Sequence, residues 1–321
     1  MSEFRKNPFT GEWTVYAQKR KNRPYEFRWQ KAVHKGGDSC PFCVGHEERT
    51  TPALFQNETE QGWNIRVFPN MYPVVDEKEQ NIESDPFYEN AAGIGHHEVI
   101  VDTPVHEESI DQFTETHMRL VLDVLRQRYE LMRAEKETAY VQIFKNCGAE
   151  AGMSIRHSHW QMIGIPVVPR RIQIMLEKGI GEECLFCRSI DADITNKKRL
   201  VYENESMAAI TPYGSRYPYE VWIMPKNHRD SFGSLRKEEL RDLADMLCRI
   251  LPKMASLREN TGYNLCFMDG PKGMDFHWHL EILPRIGGFA GFEHATDCYI
   301  NPITPETAAA YYRGEKKPFE E

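Results

Sequence analysis

The sequence predicts an α+β protein built from two related domains in tandem, residues 1–170 and 171–321. Three observations predict it. The chain has 321 residues, whereas a single domain usually holds about 100–200. One order of features occurs twice: a Cys-x-x-Cys pair, an apolar strand-like run, a lone histidine, an amphipathic helix-like run, a second strand-like run, then His-x-His. The intervals also agree, with 51 residues from His106 to His157 and 49 from His228 to His277. The period of the whole pattern, from Cys40 to Cys184, is far longer than the about 20–50 residues of a solenoid repeat, so the repeat is not solenoid-like.

The elements follow in order. In the first round the pair is Cys40 and Cys43. The apolar run 97–102 reads as a strand and leads to His106. Over 109–136, Phe113, Leu120, Leu122, Leu125 and Leu131 fall near helical spacing. A strand over 139–144 precedes His157 and His159. In the second round the pair is Cys184 and Cys187, the strand is 220–225 and the histidine is His228. A helix over 235–260 carries Pro252 as a kink or break, and a strand over 263–267 precedes His277 and His279. Pro166 and Pro169 mark the junction of the rounds, and the charged end 313–321 reads as frayed.

Composition excludes several classes. Lys plus Arg is 40 against 48 Asp plus Glu, a formal charge of −8, which argues against non-specific nucleic-acid binding. Mean hydropathy is −0.60, and no apolar run approaches the roughly 18 residues of a membrane span. The first six residues have no secretory apolar core, so a cytoplasmic location without disulfides is expected. Cys147, Cys248, Cys266 and Cys298, outside the pairs, read as core residues.

Two Cys-x-x-Cys pairs with histidines downstream lean towards zinc, which takes four tetrahedral ligands from thiolate and imidazole. The expected sites are Cys40, Cys43, His106 and His157, and Cys184, Cys187, His228 and His277. Four protein ligands leave no open position, so the metal is structural. His34, His96 and His97 are competing ligands, and buried thiols near a turn are the alternative for either pair.

Along a strand, His157, His159 and Gln161 share a face. If His157 binds metal, His159 is left as a nucleophile, and Gln161 can donate to a phosphoryl oxygen. Just upstream, Asn146, Gly148, Gly152 and Ser154 suit a phosphate-binding loop. The second round has Glu281 where the first has Gln161, and a carboxylate there repels phosphate. One half is therefore expected to be catalytic and the other to serve structure and sugar binding.

The stretch from Asn146 to Gln161 resembles the active-site motif of galactose-1-phosphate uridylyltransferases, in the histidine-triad superfamily. The resemblance spans nearly the whole chain, through residues 5–8 with Trp13, the basic stretch 19–24, Phe68-Pro69-Asn70, His97-Glu98-Val99 and Gly291-Phe292-Glu293. It implies two tandem histidine-triad-like domains, each an antiparallel sheet with packed helices, and a homodimer. It implies ping-pong nucleotidyl transfer, with His159 attacking the α-phosphorus of a nucleotide sugar and a sugar 1-phosphate or phosphate as acceptor. By the same resemblance the His157 carbonyl orients His159, while Gln161 and Ser154 bind the α-phosphate. Asn146 holds the nucleotide, Arg20 and Arg23 reach the phosphates, Asn70 meets base or ribose, and Glu293 meets the hexose. Three features depart from the best-known members: Ser158 replaces a proline, Trp160 replaces a small residue, and a second Cys-x-x-Cys is present. Ser158 and the second pair also resemble the ADP-glucose phosphorylase branch, which moves an adenylyl group to phosphate. A dinucleoside polyphosphate hydrolase and a zinc-stabilised binding module without turnover complete the alternatives.

Overall fold

A computed structural model describes residues 2–17, 39–60, 62–78, 82–179 and 184–320. In chain order the elements begin β1 (Ser2–Lys6), β2 (Trp13–Ala17), β3 (Phe55–Thr59), β4 (Gly62–Pro69), β5 (Asn90–Ala92) and β6 (His96–Val101). They continue α1 (Glu115–Ala134), β7 (Tyr140–Cys147), β8 (His159–Ile165), α2 (Arg170–Gly179) and α3 (Leu185–Asn196). The second round adds β9 (Leu200–Glu203), β10 (Met207–Ile210), β11 (Val221–Pro225), α4 (Lys237–Ala255), β12 (Tyr263–Met268), β13 (His279–Pro284), α5 (Gly291–Thr296) and α6 (Pro305–Arg313).

The repeat becomes a symmetry of one sheet. Ten strands run β3-β4-β6-β8-β7-β12-β13-β11-β10-β9, antiparallel throughout, five from each round. The rounds meet where β7 pairs β12. At that seam Phe144 lies opposite Cys266. Phe144 also faces Gln161 on β8, as Cys266 faces Glu281 on β13, so the seam pairs a residue with its own counterpart. A local two-fold passes through that pair. A second, three-stranded sheet, β2-β1-β5, packs through Phe4, Trp13 and Ala91 in one cluster with Ile163 and Ile165 of β8.

One face of the large sheet is covered by α1 and α4, which pack on each other. Met118, Val121, Leu122, Leu125, Tyr129 and Met132 form the buried stripe of α1 at helical spacing. Leu240, Leu243, Leu247, Ile250 and Met254 do the same on α4. With Ile143, Trp160, Leu265 and Leu280 from the sheet they form one apolar cluster, so both rounds contribute to a common core. No helix among the described residues is long and apolar enough to cross a membrane.

Four local expectations change. The first helix starts at Glu115 rather than 109, because Ser109 opens a 3-10 turn and Thr114 caps the helix by accepting from the His117 N–H. Leu131 is 57% exposed; the stripe runs through Tyr129 and Met132 instead. α4 continues through Pro252 and stops at Ala255, short of 260, with the Ser256 N–H bonded back to the Pro252 carbonyl. The chain end is docked: the Phe319 N–H donates to Tyr219 Oη at 2.6 Å, and the two rings meet edge to face.

Candidate active site

The sheet explains how distant residues converge. β6 and β8 are neighbours, so the connection after β6 brings His106 beside His157, which immediately precedes β8. Cys40 and Cys43 reach the same point: ligand atoms of Cys40, Cys43, His106 and His157 lie within 4.8 Å of one another. Cys40 Sγ is 3.7 Å, and Cys43 Sγ 3.6 Å, from His157 Nδ1; Cys43 Sγ is 3.4 Å from His106 Nδ1. His157 Nε2–H donates to the Thr103 carbonyl at 2.7 Å, which leaves Nδ1 as a lone-pair donor.

Cys184, Cys187, His228 and His277 repeat the pattern within the same 4.8 Å limit. Here His277 Nε2–H donates to the Pro225 carbonyl at 2.9 Å, and His228 Nε2 meets Asp275 Oδ1 at 2.8 Å. Both groups of four can hold a metal ion. Of the competitors, His97 is used elsewhere, His96 lies 3.7 Å from Glu77, and His34 is outside the described residues.

His159 opens β8, while His157 sits just before the strand in a bend. His159 Nδ1–H donates to the His157 carbonyl at 2.8 Å, and the Phe42 ring packs edge-on at 5.2 Å. Nε2 has no hydrogen-bond partner among the described residues. Burial pushes the imidazole down to about 4, so it is neutral at pH 7 with an unshared pair on Nε2.

Gln161 shares the face of His159, and its Oε1 lies 3.1 Å from His97 Nε2. The Val74 N–H approaches His97 Nδ1 at 3.3 Å, so Nδ1 accepts and Nε2–H donates to Gln161. This leaves the Gln161 amide NH2 for a ligand. Asn70 accepts the Tyr72 N–H on its Oδ1, and its Nδ2 lies 3.1 Å from His97 Nε2, a contact between two N–H groups and not a hydrogen bond when Nε2–H is given to Gln161. Asn70 thus stands beside Gln161 through His97, a link the sequence motif alone did not expose.

The loop after β7 turns at Gly148 and Gly152, whose φ values of 82° and 86° suit glycine. A cavity of about 710 Å3 opens beside it, lined by Asn146, Ser154, Arg156, Ser158 and Lys145 among others. Lys145 is buried, donating to Asp102 Oδ2 at 2.7 Å and Ser158 Oγ at 2.8 Å. Ser158 is thereby tied down between the two histidines. No spacing rule points to Lys145, since its partners come from two other segments. Cys147 packs in the core, and burial pushes its thiol up to about 12, as expected of an inert residue. Cys298, read as core, is exposed instead, beyond α5.

The equivalent place in the second half is filled. Val99 stands opposite Gln161, whereas Trp222 stands opposite Glu281. The Trp222 indole stacks on His279 at 4.8 Å, and Phe186 closes in at 5.1 Å. Glu281 is fully buried and bonded by Arg171 at 2.5 Å and Arg216 at 2.9 Å. Burial opposes its ionisation, but the neighbouring His279 and the two guanidiniums hold the carboxyl at about 2.

Glu293 is not brought to His159 by its own contacts; its carboxylate accepts from the Ala290 N–H and caps α5. Arg20 and Arg23 lie outside the described residues.

A family profile described as galactose-1-phosphate uridyl transferase, N-terminal domain, matches residues 1–169. Another, described as a domain of unknown function, matches residues 92–311. ADP-glucose phosphorylase from Arabidopsis thaliana is 31% identical over 97% of this chain and 92% of its own length. A crystal structure of such an enzyme from that plant, with bound ADP-glucose, superposes at a TM-score of 0.76 with 30% identity, covering 98% and 99% of the two chains. Galactose-1-phosphate uridylyltransferase from Thermotoga maritima is 28% identical over 98% of both lengths. A solved uridylyltransferase structure superposes at a TM-score of 0.82 with 29% identity over 98% of each chain.

Proposed function

The chain belongs to the galactose-1-phosphate uridylyltransferase family, and from that premise we propose that it moves a uridylyl group from UDP-glucose to a hexose 1-phosphate such as galactose 1-phosphate. One observation carries the chemistry: the His157 carbonyl holds Nδ1–H of a neutral His159, and Nε2 has no hydrogen-bond partner among the described residues. Nε2 attacks the α-phosphorus; an N–P bond forms, the P–O bond to the sugar phosphate breaks, and sugar 1-phosphate departs. An oxygen of the acceptor's phosphate then attacks; the N–P bond breaks and the imidazole is regenerated.

The Gln161 amide and the Ser154 hydroxyl bind the α-phosphate in this reading, where added negative charge is best met by fixed donors. Asn146 donates to the nucleotide's phosphates, and Arg20 and Arg23 neutralise them. Asn70 stands near base or ribose, and Glu293 receives hexose hydroxyls.

We assign zinc to both Cys2His2 groups. Tetrahedral zinc with bonds of about 2.3 Å to sulfur and 2.0–2.1 Å to nitrogen sets S···N near roughly 3.6 Å. The first group has such separations at 3.4–3.7 Å, and the second at 3.4 Å, 3.6 Å and 3.7 Å. With four protein ligands the ion orders the fold and His157, and it takes no part in bond making.

Adenylyl transfer from an ADP-sugar to phosphate is the second reading. It is favoured by the whole-length match to ADP-glucose phosphorylase and by the second Cys2His2 group. Intact-protein mass after mixing with UDP-glucose, and separately with ADP-glucose, decides between them. A uridylyl adduct discharged by galactose 1-phosphate supports the first reading. An adenylyl adduct discharged by phosphate supports the second. No adduct from either counts against both.

A further inference from the structure

Asn264 belongs to the half whose histidine is covered by Trp222, yet its side chain ends in the site of the other half. β7 and β12 pair with Asn146 directly opposite Asn264. Asn264 is 6% exposed and its polar atoms are committed. Nδ2 donates to Asn146 Oδ1 at 2.8 Å and to the Ala151 carbonyl at 2.9 Å. Oδ1 accepts from Arg285 Nε at 2.5 Å, and Arg285 also donates to Tyr217 Oη at 2.6 Å. A guanidinium is donor-only, so it fixes which end of the Asn264 amide is oxygen. That fixes Asn146 in turn: its oxygen is taken, and its NH2 is the end left for a ligand. This NH2 lies on the loop side, 3.9 Å from where a Cβ on Gly152 would sit. The loop rests on the same second-half segment, since a Cβ on Gly148 would come within 3.0 Å of Gly262 Cα.

We propose that Asn264 is a positioning residue for the reaction at His159. It turns the NH2 of Asn146 towards the phosphates of the nucleotide sugar and ties down the loop through the Ala151 carbonyl. The half without an open nucleophile thereby completes the site of the half that has one. This rests on the roles given above to His159 and Asn146. With Asn146 reversed, a carbonyl oxygen would face an anion and repel it.

Asn264→Asp is the discriminating variant. It keeps the shape and the oxygen that Arg285 bonds, but replaces both donated hydrogens with a second acceptor. We expect nucleotidylation at saturating UDP-glucose or ADP-glucose, whichever labels the parent, to slow about a hundredfold. Metal content and thermal midpoint should stay near the parent's. Asn264→Ala removes the donors without adding charge and should slow labelling likewise. If Asn264 acts largely through Asn146, adding Asn264→Asp to Asn146→Ala slows the reaction well short of the product of the two single losses, leaving only the part owed to the Ala151 carbonyl. Parent-like labelling by folded Asn264→Asp, or fully additive losses in the double variant, would overturn the proposal. An Asn146→Ala variant that labels normally overturns it as well and removes Asn146 from the site. A parent that takes no nucleotidyl group from either sugar overturns the function itself, and the proposal with it.

Discussion

His159 depends on the unequal treatment of its two ring nitrogens, one held by a carbonyl and one left open. His159→Gly should retain the fold and metal content but take up no nucleotidyl group; persistent labelling would place the nucleophile elsewhere. At the matching place in the other half, Glu281 serves stability. A carboxyl lowered from 4.5 to about 2 contributes roughly 3 kcal/mol at neutral pH. Because its folded value is depressed, that contribution is complete above about pH 4.5 and fades as pH falls towards 2. Glu281→Gln should therefore melt below the parent at pH 7, with the gap already narrowing at pH 4; a gap that widens in acid contradicts the assignment. The two groups of four metal-ligand candidates were legible because Cys-x-x-Cys and His-x-His are short-range pairs and the repeat marks His106 and His228 as the matching lone histidines. His97, Lys145 and Asn264 were not, since each acts through a segment 13 to 118 residues away.

At the scale of elements, the order of strands and helices within each round was legible from period and spacing. The pairing of β7 with β12 was not, because nothing in either strand names its neighbour across the seam. That seam gives the loop its support. Gly148→Ala would set a Cβ 3.0 Å from Gly262 Cα at a φ of 82°, for a cost of about 1–3 kcal/mol and slower labelling. Unchanged stability and rate would show that the loop tolerates displacement. Trp222 was open to a reading that aligned the two His-x-His pairs, since its counterpart is Val99. Trp222→Ala should uncover His279 without creating a second nucleophile, because Glu281 still opposes phosphate and no Gly148-to-Ser154 loop stands beside it. The stoichiometry by mass should remain one nucleotidyl group per chain; two would contradict this.

Across the whole molecule, one sheet and a common core join the two rounds of a duplicated unit, and the proposed function divides them into a half that reacts and a half that supports. The two Cys2His2 groups lie at related positions, one in each half. Stripping metal with a chelator should lower the thermal midpoint by roughly 10 °C or more, given the folding energy that structural zinc usually supplies. Metal analysis should return two zinc ions per chain; full stability without zinc would remove the structural role. The division of labour itself is tested most directly by locating the adduct. The protein is mixed with nucleotide sugar and no acceptor, digested, and its peptides sequenced by mass. The account predicts the nucleotidyl group on His159 in the peptide spanning 157–161, with the peptide spanning 277–281 unmodified. A label on His279, on Cys147, or on both halves would contradict it.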